Sequence, residues 1–144
     1  MAESRKRTKG FTLVELMVVI VIIGLAAAVV VLAMPGEGGS LRAEAVRFAA
    51  RAKAARDAAI LDSRTVAVSI GRGGYEVARR EGGGWRVEAR YGWAERTAPE
   101  IGGAQSGTIR FDATGLAEPA TIVLRRGERA AAVDIGSDGG VHVR

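Results

Sequence analysis

The chain contains no cysteine. Disulfides, thiolate nucleophiles and cysteine-based metal sites are excluded, although the absence does not identify a compartment. Histidine occurs once, as His142, on what reads as the last strand. One imidazole cannot build a histidine-based metal centre, and a Ser-His-Asp arrangement through it is improbable. Asp134 and Asp138 lie near Gly136, Gly139 and Gly140, but they lack the D-x-[DN]-x-[DN]-G spacing and the closing glutamate of a calcium loop. A plain glycine turn is the favoured reading there. Gly71-Arg72-Gly73-Gly74 and Gly82-Gly83-Gly84 have no strand-to-helix context and no P-loop lysine-serine pair, so they read as hairpin turns rather than phosphate cradles. No catalytic site, metal or cofactor is expected, and the chain does not read as an enzyme.

Charge is missing from Leu16 to Met34, a run of 19 residues in which only Gly24 falls outside the strongly apolar set. A helix of that length covers roughly 28 Å, close to one bilayer core. Arg5, Lys6, Arg7 and Lys9 precede the run and would hold that end in the cytoplasm, leaving the C-terminal part outside. One acid, Glu15, stands at the apolar edge, where an unneutralised charge is costly. An ordinary signal peptide ending near Val31-Leu32-Ala33, or a permanent signal anchor, would match the apolar run. Neither gives Glu15 a purpose.

Gly10-Phe11-Thr12-Leu13-Val14-Glu15, with the apolar run behind it, resembles the N-terminus of type IV pilin-like proteins. The resemblance implies cleavage by a prepilin peptidase after Gly10 and N-methylation of Phe11. It also implies residues 1–10 as a leader, 11–34 as a transmembrane and assembly helix, 35–40 as a kink or linker, and 41–144 as a periplasmic domain. Loss of the leader removes four bases and one acid, taking the formal net charge from +5 to +2. The basic excess is therefore weak evidence for nucleic-acid binding. Two pairings are open to Glu15. It can meet the freed amine of Phe11 in its own chain, at helical i, i+4 spacing. It can also meet the amine of a neighbouring subunit, which would set axial register, and the resemblance favours this second pairing.

Beyond Pro35-Gly36-Glu37-Gly38-Gly39 the sequence predicts a second helical segment over 41–62, capped by Ser40. Leu41, Ala45, Phe48, Ala52, Ala55 and Ala59 form its apolar stripe, while Arg42, Arg47, Arg51, Lys53 and Arg56 read as a solvated face. From residue 65 the period becomes two. Thr65–Ile70, Tyr75–Arg79 and Trp85–Tyr91 read as a three-stranded antiparallel meander with Trp85 and Tyr91 on its inner face. Residues 92–107 have no period and read as a long loop, with Trp93 exposed for a partner. Ile109 and Phe111, Ile122 and Leu124, Val133 and Ile135, and Val141 and Val143 read as a second sheet of three or four strands.

Phe111-Asp112-Ala113-Thr114-Gly115, followed by two strands and a late glycine turn, resembles the C-terminal half of the minor pseudopilin H family of type II secretion and its FimT-like relatives. The expected fold is α+β and type IV pilin-like, with a long N-terminal helix and an antiparallel β domain of two small sheets. The implied role is a structural subunit near the tip of a periplasmic pseudopilus. Its partners would be the other minor pseudopilins, the major pseudopilin, the prepilin peptidase and the inner-membrane secretion platform. The alternative is a FimT- or FimU-like minor pilin acting in pilus assembly or DNA uptake. Arg125, Arg126, Arg129, His142 and Arg144 would then supply a basic patch, but Glu128, Asp134 and Asp138 are interspersed with them. No aromatic platform for single strands accompanies them, so nucleic acid is the less favoured partner.

Overall fold

The computed structural model describes residues 11–33 and 40–144. Gly10, the basic head and most of the expected kink lie outside the described residues. The chain divides into two compact units, Met1–Gly36 and Glu37–Arg144.

The first unit is helix α1, Leu13–Ala33. Its start is set by Thr12, whose Oγ1 accepts from Glu15 N–H at 3.2 Å while its carbonyl accepts from Leu16 N–H at 3.2 Å. A threonine three residues before a glutamate is the pattern of a capping box, and the hydroxyl half of that box is formed here. The large apolar side chains from Phe11 to Val29 are exposed on every face, so the described residues of this unit form no core of their own. Among the described residues no helix is long and apolar enough to cross a membrane. Side chains of α1 are described to Val29, and its helical backbone continues to Ala33.

The second unit begins with helix α2, Leu41–Leu61. Ser40 Oγ accepts from Ala43 N–H at 3.1 Å and caps the start. At the other end Arg64 N–H reaches Ala59 O at 3.0 Å and Ser63 N–H reaches Ile60 O at 3.2 Å. This is a Schellman closure, with Ser63 at φ +49° where glycine is usual.

Eight strands follow, all paired antiparallel. Strands β1 (Val66–Gly71), β2 (Gly74–Glu81), β3 (Gly84–Gly92) and β5 (Gly107–Phe111) form one sheet in the order β3-β2-β1-β5. Strands β4 (Ala98–Ile101), β6 (Ala120–Arg126), β7 (Arg129–Ile135) and β8 (Val141–Val143) form the other in the order β4-β6-β7-β8. The whole expected stripe of α2 is buried. It packs on β1 and β5 of the first sheet and on β6, β7 and β8 of the second. Phe48, Val66, Val68, Phe111, Ile122, Leu124 and Val133 are the fully buried centre.

Three expectations are corrected. Ile109 and Phe111 do not join the second sheet. Their strand, β5, pairs with β1 in the register Val66↔Phe111 and Val68↔Ile109, which brings Phe111 beneath α2. Alternation discloses which face is buried but not which strand lies alongside. Residues 92–107 are not all loop, because β4 lies within them and pairs with β6. Pro99 is buried opposite Leu124 on this edge strand, where a missing backbone donor is tolerated.

The third correction concerns Trp85, which is 42% exposed rather than core. Val77 pairs with Ala89 but Ala78 pairs with Val87, so Glu88 is an extra residue in β3. This bulge reverses the parity of the strand. Tyr91 and Ala89 stay on the inner face with Tyr75 and Val77. Trp85 and Val87 turn to the outer face with Arg80 and Ala78, and Arg80 lies over the Trp85 ring at 5.4 Å.

Candidate assembly site

At the start of α1 the Thr12 cap leaves Glu15 in the first helical turn. A carboxylate there is favoured by the unpaired N–H groups and the positive end of the helix dipole. Phe11 is 79% exposed and precedes the cap. An amine on Phe11 would stand next to this turn, so the local geometry suits an anion that meets a cation. Gly10, the other half of the expected cleavage site, lies outside the described residues.

The C-terminal arginines do not gather into an uncompensated basic patch. Arg126 Nη2 donates to Glu44 Oε2 at 2.6 Å and to Thr97 Oγ1 at 2.8 Å. Arg125 Nε meets Glu100 Oε2 at 3.2 Å, across the β4–β6 pair. Arg144 Nη2 meets Asp134 Oδ1 at 2.9 Å, and Thr121 Oγ1 donates to the same oxygen at 2.7 Å. The Arg144 hydrogen bond, aided by Thr121, holds the Asp134 carboxyl below the usual carboxylate range. Arg129 is exposed opposite Arg126 in the β6–β7 hairpin, and His142 stands in register with Asp134. Trp93 is also corrected. It is turned into the unit, with Nε1 donating to Gly71 O at 2.8 Å and its ring 4.7 Å from Tyr75 and 5.6 Å from Phe48.

Two residues that bind the unit together were not singled out by pattern. Glu44 is only 4% exposed. Its Oε1 accepts from Ala94 N–H at 2.6 Å, and its Oε2 accepts from Thr97 Oγ1 at 2.9 Å as well as from Arg126. One acid thus joins the first turn of α2 to the segment before β4 and to the end of β6. A sequence signal existed, since Glu44 falls three residues after Leu41 on the stripe side of the helix. Arg56, expected in solvent, donates from Nε to Gly115 O at 3.2 Å and from Nη2 to Asp138 O at 3.1 Å. It ties α2 to the two glycine turns after β5 and β7. Gly115 there has φ +83°, and a Cβ would come 2.6 Å from Ile60 Cδ1.

The Asp112 turn is built as the F-D-x-x-G element implies. Its Oδ1 accepts from Thr114 N–H at 2.8 Å, Thr114 Oγ1 at 2.6 Å and Leu116 N–H at 3.1 Å. Those bonds, led by the Thr114 hydroxyl, pull the carboxyl below its ordinary value. Among the described residues no group of acids or histidine is placed to hold a metal ion.

Residues 5–31 match the prokaryotic N-terminal methylation motif, and residues 44–139 match the family described as type II transport protein GspH. No curated protein is similar enough in sequence to count as a relative. Among solved structures, the type IV minor pilin FimU of Pseudomonas aeruginosa superposes with a TM-score of 0.61 at 13% identity, over 72% of this chain and 87% of FimU. The minor pseudopilin EpsH of the Vibrio cholerae type 2 secretion system superposes with a TM-score of 0.60 at 14% identity, over 69% of this chain and 92% of EpsH. At these identities the likeness concerns the fold, which is pilin-like. The GspH match spans most of the chain and the methylation motif covers its start, so the chain belongs to the GspH family of pseudopilin-like proteins.

Proposed function

We propose that the chain is a minor pseudopilin of a type II secretion system, cut after Gly10, N-methylated on Phe11 and assembled near the tip of a periplasmic pseudopilus. The observation that carries this reading is Glu15. It is the one acid of a capped helix whose large side chains through Val29 are otherwise apolar, and that helix precedes a GspH-family domain. With residues 30–34 included, the uncharged run from Leu16 is long enough to anchor the chain once in the inner membrane, with the domain in the periplasm. Glu15 then meets the Phe11 amine of the next subunit, which offsets the cost of moving an anion into the apolar filament core. A subunit that keeps this acid accepts another above it and is not the topmost.

The intact mass and N-terminal sequence of the membrane-purified protein test the class. The expected result is N-methylphenylalanine at Phe11, and a chain starting at Met34 or retaining its basic head rules it out. Glu15→Leu is expected to leave cleavage intact while abolishing incorporation into filaments. Normal incorporation would refute the pairing.

A second reading, a minor pilin of a type IV pilus, is supported by the near-equal likeness to FimU and EpsH. Restoring export in a secretion-deficient strain, against restoring pili in a pilus-deficient one, separates the two. DNA uptake would add a gel shift that weakens steeply with salt. The compensated arginines Arg125, Arg126 and Arg144 argue against it.

A further inference from the structure

Helix α2 covers only part of the first sheet. Within that sheet it packs on β1 and β5, and the β2–β3 hairpin extends past it. A groove therefore runs between the flank of α2 and the inner face of β3. One end, about 410 Å³, has Arg47, Arg51, Tyr91 and Trp93 in its walls. The adjoining end, about 310 Å³, is walled by Ala50, Ala54, Ala58, Val77 and Ala89. Arg51 and Tyr91 belong to both ends.

The basic end is organised for an anion. The Arg51 guanidinium lies 3.5 Å over the centre of the Tyr91 ring. Stacking holds the planar group in place and leaves its N–H edges free for a carboxylate. Arg47 sits one turn earlier on the same side of α2. Among the described residues neither arginine makes an ion pair. The other charges at the groove are already matched: Glu44 to Arg126, Arg90 to Glu76 and Glu88 to Arg79. The far end is alanine-lined, its positive group is the Arg51 already shared with the basic end, and Glu88 stands there. A nucleic-acid strand threading the groove would leave its next charges against alanine and an acid. A peptide segment with one carboxylate and small apolar neighbours fits both ends.

We propose that this groove receives an acidic segment of an adjacent filament subunit, one carboxylate docking between Arg47 and Arg51 and the neighbouring apolar side chains lying on Ala50, Ala54 and Ala58. The inference rests on the filament-subunit reading and adds to it a lateral contact away from Glu15.

A photo-crosslinking amino acid at exposed position Ala54 of the full-length chain, in membranes of a strain assembling the filament, tests it. Mass spectrometry of the adduct is expected to identify an Asp- or Glu-containing segment of another pilin-like subunit. Arg47→Glu with Arg51→Glu should lower the adduct yield about tenfold or more, and reversing the identified acid to arginine should restore it. Arg47→Lys with Arg51→Lys should retain a measurable part. The thermal transition of each variant, unchanged from the parent, verifies folding. An adduct unaffected by the charge reversal, an adduct with lipid or nucleic acid only, or no adduct from a correctly cleaved and methylated chain would overturn the proposal. Failure of cleavage or methylation would instead strike the function proposed above.

Discussion

Glu44 occupies a place on α2 where the apolar stripe calls for a hydrophobe, and its burial is matched by three donors besides Arg126's second bond to Thr97. Removing one member of such a pair leaves a charge facing its vacated partner, which costs more than the pair itself contributes. Glu44→Ala should therefore lower the unfolding free energy of the second unit by about 2–3 kcal/mol, discounted because Arg126 retains some solvent. Replacing both together, Glu44→Leu with Arg126→Met, should recover most of that loss. Urea denaturation of the three variants checks this, and a single-variant loss below about 1 kcal/mol would show that the network carries little.

Tyr75 supplies a pH signature at the same scale. Burial pushes its phenol from the ordinary 10.0 up to about 12, against the opposing pull of the Arg51 and Arg47 cations. The folded state thus holds the proton that the unfolded state gives up first. The contribution of this phenol is intact below pH 10 and is lost as pH rises from 10 to 12, on the order of 1–2 kcal/mol when complete because the group keeps some solvent. Tyr75→Phe keeps the ring against Phe48 and Trp93 but should remove this component from the alkaline denaturation curve. An identical alkaline limb in the two proteins would rule out the assignment.

At the scale of elements, the end of α2 is held by a serine in a left-handed conformation. A side chain there costs roughly 1 kcal/mol relative to glycine. Ser63→Gly is therefore expected to stabilise the second unit by about 0.5–1 kcal/mol, seen as a higher melting temperature. The bulge at Glu88 offers a sharper test. Deleting Glu88 restores unbroken alternation in β3 and drives Trp85 and Val87 toward the inner face. The Trp85 fluorescence should shift to the blue while the unit loses stability, and an unchanged spectrum would show that the bulge does not set the parity.

The same elements show what was legible beforehand. The α2 stripe and its serine cap follow from local spacing, and so do the strands other than β4 and their glycine turns. The partner of β5 does not, because pairing is decided by contacts distant in sequence. The orientation of Trp85 was lost to one extra residue that composition does not mark. β4 was hidden by its four-residue length and its proline. Glu15 was visible as a lone charge beside an apolar run. The Arg47–Arg51 groove was not, since it forms only when β3 is brought alongside α2.

The whole molecule places opposite demands on its two units. The second unit buries a continuous core between α2 and two sheets. Through Val29, α1 exposes apolar side chains around its circumference, and none of its described side chains is buried to sustain it in water. Folding of the second unit should then owe nothing to the first. A protein of residues 37–144 is expected to be soluble without detergent and to melt in one cooperative transition, at a temperature close to that of the domain in the full-length protein in detergent. The full-length chain should aggregate once detergent is withdrawn, whereas a version with Val18, Ile22 and Leu25 changed to Lys should not. Loss of cooperativity on truncation would mean that α1 contributes packing to the domain, and would contradict the division of the chain into two independent units.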